Sequence, residues 1–383
     1  MTKSRFFAQR RGLVLALLIA SLAPALVVAQ GSLGSQGFGY PTGGLSAGAM
    51  GAAGAGAESD PNSALNPAAI TQNARYMISV QFQPEFRRTS LPTQDVNSTV
   101  MRFPTFMATG TYGRFTGSAG VSTLLDRSWT NRYSDSLLIG GEWIPSEIQT
   151  SSAGALSDVR AALGYVVNSK LQIGLGVHGF AGENRTEFNR VFPDSTGVGG
   201  LSQGAAFGFA GTAISAGVVT IPREGFVIAA SIRSGGAMTL EENGAEVGRG
   251  GVPTRFGVGV NWLAVPGAAF SARIDRTMWS EMEGLGTSAV SIFDATEWAI
   301  GTDILGPKLG GTNSLVRAGL RDRTLPFGLN GNQIRERAMT FGLGLPVGRS
   351  RAQIDLAAQR AMRTGAGLEE RGWFVSIGLG IRP

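Results

Sequence analysis

The sequence predicts an all-β chain, a closed transmembrane antiparallel β-barrel of about fourteen strands. Three observations lead there. An export signal opens the chain, and a two-residue apolar period runs from residue 75 to the end. Glycine supplies 57 of the 383 residues, about twice ordinary usage, and no later run is apolar enough for a spanning helix.

Lys3, Arg5, Arg10 and Arg11 precede the apolar stretch Gly12 to Ala29 with no acidic residue among them. A basic start, an apolar centre and the small residues Val27 and Ala29 make a secretory signal peptide. Cleavage after Ala29 leaves Gln30 first, and Ala23-Pro24-Ala25 is a second candidate site. Removing the signal takes away four basic residues and no acid, so the formal charge of +6 falls by four. What is left is nearly balanced and has no basic block, which argues against a nucleic-acid partner. The absence of cysteine rules out a disulfide framework.

In the strand segments, one set of alternate positions is apolar. Leu171, Ile173, Leu175 and Val177 alternate with Gln172, Gly174, Gly176 and His178. Trp373, Val375, Ile377, Leu379 and Ile381 stand opposite Ser376, Gly378 and Gly380. A period of two places the sets on opposite faces of a strand. The strands predicted this way are 75–87, 100–112, 117–129, 155–167, 170–182, 203–219, 226–236, 252–263, 268–279, 294–304, 314–324, 336–346, 350–361 and 370–381. Each is long enough to cross a bilayer, which takes about 9–11 tilted residues.

Tight connections are expected near Asn168-Ser169, Ala264 to Gly267 and Val347 to Arg349. Long ones are expected at 88–99, 130–154, 183–202, 237–251 and 280–293, with 305–313 longer than a tight turn should be. An even number of strands with turns short at one end and long at the other suits an outer-membrane barrel. A soluble sandwich or propeller also alternates, but no blade-length repeat is present.

The apolar face should meet outer-membrane lipid, leaving the charged face to line the lumen. Arg160, His178, Arg233, Arg273, Asp275, Arg317 and Asp355 are candidate lumen residues. A charge on the lipid face costs about 2–4 kcal/mol at mid-bilayer. Mutual pairing in a solvated interior accounts for most such charges. Leu137, Leu138, Ile139, Trp143 and Ile144 crowd the predicted loop 130–154 as a candidate apolar capture surface.

Catalytic signals are weak. Gly174 to Gly179 matches a dinucleotide-loop pattern, but strand alternation runs through it and no helix follows. His178 is the only histidine, so a zinc site or Cys-His dyad is excluded and a Ser-His-acid triad would have to use this ring. No nucleophile elbow adjoins it. Neither an enzyme nor a cofactor is expected.

The stretch between the signal and the first strand carries a resemblance. A Gly/Ala-rich run from Ala47 to Ala57 leads to Asp60-Pro61 and then to an Asn66-Pro67-Ala68 corner. This resembles the N-terminal hatch of the FadL-like family, outer-membrane transporters of long-chain fatty acids and other hydrophobic compounds. The Val252 to Val260 strand, followed by one ending in Arg276 to Met282, also looks like a hairpin of that family. The resemblance implies a fourteen-stranded barrel with a hatch inside the lumen, and a bulge or kink in the second or third strand for which Gly110, Gly117 and Gly120 are the candidate positions. It divides the chain into a signal peptide (1–29), a hatch (30–74) and a barrel (75–383). It further implies location in the bacterial outer membrane and passive uptake of a hydrophobic ligand past the lipopolysaccharide leaflet. Assembly would be by the outer-membrane barrel machinery. FadL-like barrels that serve protein secretion or surface attachment share the hatch and corner, so a scaffold role stays open beside transport.

Overall fold

The computed structural model describes residues 39–382 apart from 74–75, 91–94, 286–290, 310–311, 330, 349–350 and 366–367. The expected signal peptide lies outside these residues.

Fourteen strands form a closed antiparallel barrel. They begin with β1 (Met77–Ser90), β2 (Asp95–Arg102 and Thr105–Tyr112), β3 (Phe115–Asp126 and Trp129–Ile139) and β4 (Glu142–Asn168). Next come β5 (Leu171–Val191), β6 (Leu201–Arg223), β7 (Phe226–Glu242), β8 (Ala245–Gly251 and Thr254–Val265) and β9 (Ala268–Met278). The ring ends with β10 (Ala295–Leu309), β11 (Thr312–Leu329), β12 (Asn332–Val347), β13 (Ala352–Gly365) and β14 (Leu368–Ile381). β14 pairs back onto β1, with Trp373 opposite Phe86 and Leu379 opposite Val80. Closure removes the unpaired edges that lipid does not tolerate.

The alternation read from the sequence sorts the two faces. On β1, Ile78, Val80 and Phe86 are exposed outside while Gln81, Gln83, Glu85 and Arg87 are buried inside. On β14, Trp373, Val375 and Ile377 face out and Phe374 and Ser376 face in.

Several predicted connections are different in the structure. The stretches 130–154 and 237–251 are not loops but hairpins closed by the tight turns Gly140-Gly141 and Asn243-Gly244. β4 has 27 residues, about 90 Å of chain at about 3.3 Å per residue, far more than a bilayer needs. Beyond the lipid both faces meet water, so strands persist there without the apolar alternation that marks them in sequence. β5 likewise runs on to Val191, and a 3₁₀ helix, Trp279–Leu285, occupies part of 280–293. The 305–313 connection is short, since β10 reaches Leu309 and β11 starts at Thr312.

Gly110, Gly117 and Gly120 carry no bulge. Gly110 pairs with Gly117 and Met107 with Gly120 without a register shift. The interruption of β2 falls instead at Phe103-Pro104, where proline has no N–H for the ladder. Thr123 N donates to Pro104 O at 3.0 Å, and beyond that point β2 and β3 part. Among the described residues, Asp95–Arg102 then pairs only with β1, and Trp129–Ile139 only with β4. This seam lies about ten residues from the short-turn end, where a tilted strand leaves the bilayer. Arg102 Nε bridges it to Asp126 Oδ2 at 2.6 Å.

Candidate functional site

Residues 39–73 lie inside the ring, touching strands around its circumference. A five-residue helix, α1 (Ala47–Gly51), starts at Ser46, whose hydroxyl accepts from Ala49 N at 3.0 Å. Asp60 ties the turn together, accepting from Ser46 Oγ and Ser63 Oγ at 2.6 Å and from Asn62 N at 3.1 Å. Pro61 follows within the same turn. At the Asn66-Pro67-Ala68 corner, Asn66 Oδ1 accepts from Ala68 N at 2.9 Å. Its Nδ2 donates to Glu58 O at 2.9 Å and to Val218 O of β6 at 3.2 Å.

The wall makes room for this segment with glycine. Gly164, Gly174 and Gly217 are direct partners across β4, β5 and β6. A Cβ at Gly174 or Gly217 would collide with Pro67 or Asn66, and one at Gly164 would stand 2.5 Å from Thr71. On the far side, a Cβ at Gly301 would approach Ala52 O to 2.5 Å. The high glycine content thus serves close approach of two backbones.

The candidate lumen residues all point inward, but they belong to separate groups. His178 Nδ1 meets Asp158 at 2.8 Å, its Nε2 meets Ser215 Oγ at 2.9 Å, and Arg233 stands 3.7 Å from Asp158. A Ser-His-Asp line therefore exists, drawn from three strands, where the sequence showed no nucleophile beside His178. Neither Ser215 nor His178 lines the interior cavity described below. Arg160 lies beside Met107 Sδ at 3.2 Å. Arg255 joins Glu58 and reaches Asp275 at 3.3 Å, and Arg273 joins Asp275 and Glu297. Arg317 pairs with Asp355 at 2.7 Å and with Asp303 at 3.2 Å.

Two interior features were missed. Glu85, Arg87, Arg102, Glu336, Arg363 and Glu370 form a buried ion-pair network on the β11–β2 side, with Tyr40 at its centre. Glu85 and Arg87 flank outward Phe86, so their phase was readable. The second is an apolar cluster that includes Leu125, Leu156, Phe180, Met238, Trp279 and Met282. Phe180 shares the phase of His178, which marked it as inward.

Between these features lies a cavity of about 80 Å³. Gly43, Gly44 and Ala64 line one side, Trp279 another, and Ser122 to Leu124 meet it at the seam. Arg233, Arg255, Arg273 and Arg323 supply cations to it, and Asp158, Asp275 and Glu297 anions. Its volume suits two or three waters, well short of the few hundred Å³ that enclose an organic ligand.

The capture residues are not on a loop. Leu137 pairs with Ile144, Leu138 with Trp143 and Ile139 with Glu142 at the tip of the β3–β4 hairpin. Glycines at positive φ close its two-residue turn. Alternation puts Leu138 and Trp143 on one face, 53% and 68% exposed, and Leu137 and Ile144 on the other.

No family model and no curated protein matches the sequence. Solved structures do match. A FadL homologue of Pseudomonas aeruginosa aligns with a TM-score of 0.61 at 12% identity, over 90% of this chain and 99% of that one. This chain has a FadL-like barrel fold. The monoaromatic hydrocarbon channel CymD aligns at 0.55 with 12% identity, covering 89% and 98% of the two chains. The toluene transporter TodX of Pseudomonas putida aligns at 0.54 with 14% identity, covering 90% and 97%. At such identities the likeness carries the FadL-like architecture and no side-chain role.

Proposed function

We propose that the protein is an outer-membrane channel for passive uptake of hydrophobic small molecules, with residues 30–74 as its hatch. Long-chain fatty acids and small aromatic hydrocarbons are the ligand classes we favour. The observation that carries the reading is the position of the interior cavity. It lies between the N-terminal segment and the Trp279 turn and abuts the seam between β2 and β3. A hydrophobic solute is favoured at such an opening because the next medium is lipid, while the filled bore holds back polar ones. Outer-membrane lipid and lipopolysaccharide would surround the wall, and the barrel assembly machinery would insert it.

Uptake of a fluorescent fatty acid and of toluene by cells with an intact lipopolysaccharide leaflet, with and without the protein, tests this. Rates no higher than those of cells lacking the protein would end the channel reading. Deleting residues 31–73 should leave a heat-modifiable barrel that conducts small polar solutes, and unchanged conductance would remove the hatch. The exposed Leu138–Trp143 tip favours a second reading, a scaffold for secretion or surface attachment; co-purification with a large secretion assembly, without solute flux, would support it.

A further inference from the structure

Tyr40 is an aromatic ring of the N-terminal segment held almost entirely by the wall. It is 5% exposed. The guanidinium carbons of Arg363, Arg323, Arg102 and Arg87 stand 4.3, 4.9, 5.1 and 6.0 Å from the ring centre. Phe374 stacks on it at 5.9 Å. The hydroxyl donates to Glu336 Oε2 at 2.8 Å and accepts from Arg323. Glu85, Glu336 and Glu370, all fully buried, hold the guanidiniums in place. Six wall strands thus converge on one phenol: cations for its π face, an aromatic stack, and a paired donor and acceptor for its hydroxyl.

The tether that delivers this phenol is slight. Tyr40-Pro41 pairs with Leu125-Asp126 over two residues, Thr42 adds bonds to Leu124 O and Thr123 O, and Arg323 Nη1 donates to Pro41 O at 3.3 Å. Then come Gly43 and Gly44 at φ of +80° and +59°, a conformation open to glycine. From Ala47 to Thr71, by contrast, the segment is seated on glycine-lined wall and anchored through Glu58 and Asn66. The strap Gly39–Gly43 can therefore leave without unseating the remainder. Pro41 and Arg323 also line the cavity, so the cavity adjoins the site.

We propose that the arginine-lined site around Tyr40 binds small phenols, and that a phenol entering it displaces Tyr40 together with the Gly39–Gly43 strap. Displacement removes the pairing of the strap with β3 at the seam. The binding step stands apart from the channel reading; a consequence for flux rests on it. A fatty chain has no π face for the cations, and an unsubstituted arene has no hydroxyl for Glu336 and Arg323.

The chain has no cysteine, so Thr42→Cys introduces a single thiol at a buried position outside the site. Its maleimide labelling is followed on the detergent-purified full chain, with no transport readout, so the outcome is independent of channel activity. Saturating p-cresol should raise the rate about tenfold by the population-shift relation, while toluene and cyclohexanol leave it unchanged. An equal rate with and without p-cresol overturns the proposal, and so does an equal increase with all three compounds. As a second measurement, the Tyr40→Gly barrel should gain thermal stability with p-cresol, and Arg363→Met in that background should abolish the gain. A gain that survives Arg363→Met would also overturn the assignment.

Discussion

Glu58 of the N-terminal segment and Arg255 of β8 form an ion pair inside the bore, and Ser231 donates to the second carboxylate oxygen at 2.7 Å. Both charges are removed from solvent. The pair joins the segment to the wall across 197 residues of sequence.

Removing one partner leaves the other charge buried and underpaired, at a cost of about 3–5 kcal/mol. Glu58→Ala should therefore unseat the segment while the wall, whose ladders are untouched, still assembles. Limited proteolysis should release fragments from residues 39–73 in the variant alone. Equal resistance in parent and variant would show that the pair does not hold the segment.

A Cβ at position 217 meets the side chain of Asn66, whereas one at Gly179 meets nothing within 4 Å. Gly217→Ala should lower the stability of the seated segment by about 1–3 kcal/mol through overpacking. Gly179→Ala serves as the control in the next strand and should behave as the parent. Identical urea midpoints for all three proteins would count against the glycine-lined seat.

The turn carrying Trp279 is tied by Asp294, which accepts from Ser280 Oγ at 2.8 Å and from Ser280 N at 3.2 Å. Partial burial opposes ionisation of this carboxyl, but the Ser280 donors and Arg276 outweigh it and hold the pKa below the ordinary 3.8. A depressed pKa stabilises the tied turn above the ordinary value, and that contribution is lost as pH falls through the folded-state value. With 5-fluorotryptophan at position 279, the ¹⁹F resonance should move in acid below pH 3.8. Asp294→Asn should show the loosened resonance already at neutral pH. A resonance with the same pH course in both proteins would refute the link.

Leu138 and Trp143 stand side by side at the hairpin tip, outside the lipid-spanning wall. Replacing both with serine should weaken uptake of a hydrophobic probe while heat-modifiability stays unchanged. The lost contact area corresponds to a few kcal/mol of ligand binding, about 1.5–3 for an aliphatic side chain and more for the indole. Parental uptake in a correctly assembled double variant would exclude a capture role and favour the scaffold reading.

The sequence by itself determined the strand count, the closure class and the facing of the lipid-spanning residues. A two-residue period is a local property of each strand, so Trp373, Ile377 and Leu379 declare their face without reference to any partner. It also placed, within a residue or two, short turns such as those near Asn168-Ser169 and at Ala264 to Gly267, which the structure has at Ser169-Lys170 and Pro266-Gly267, because turn residues act over a few positions. Tertiary structure decided what depends on distant pairing. Arg363 meets Glu85 across 278 residues only because β14 closes on β1. The cage around Tyr40 needs that closure, and so does the ion-pair network beside it. Which of the many glycines matter was equally hidden. Gly174 and Gly217 are set apart by Pro67 and Asn66 lying against them, and no local pattern reports that approach. The reach of β3 and β4 beyond the bilayer was invisible for a related reason: where water wets both faces, a strand keeps its hydrogen bonds without needing an apolar side.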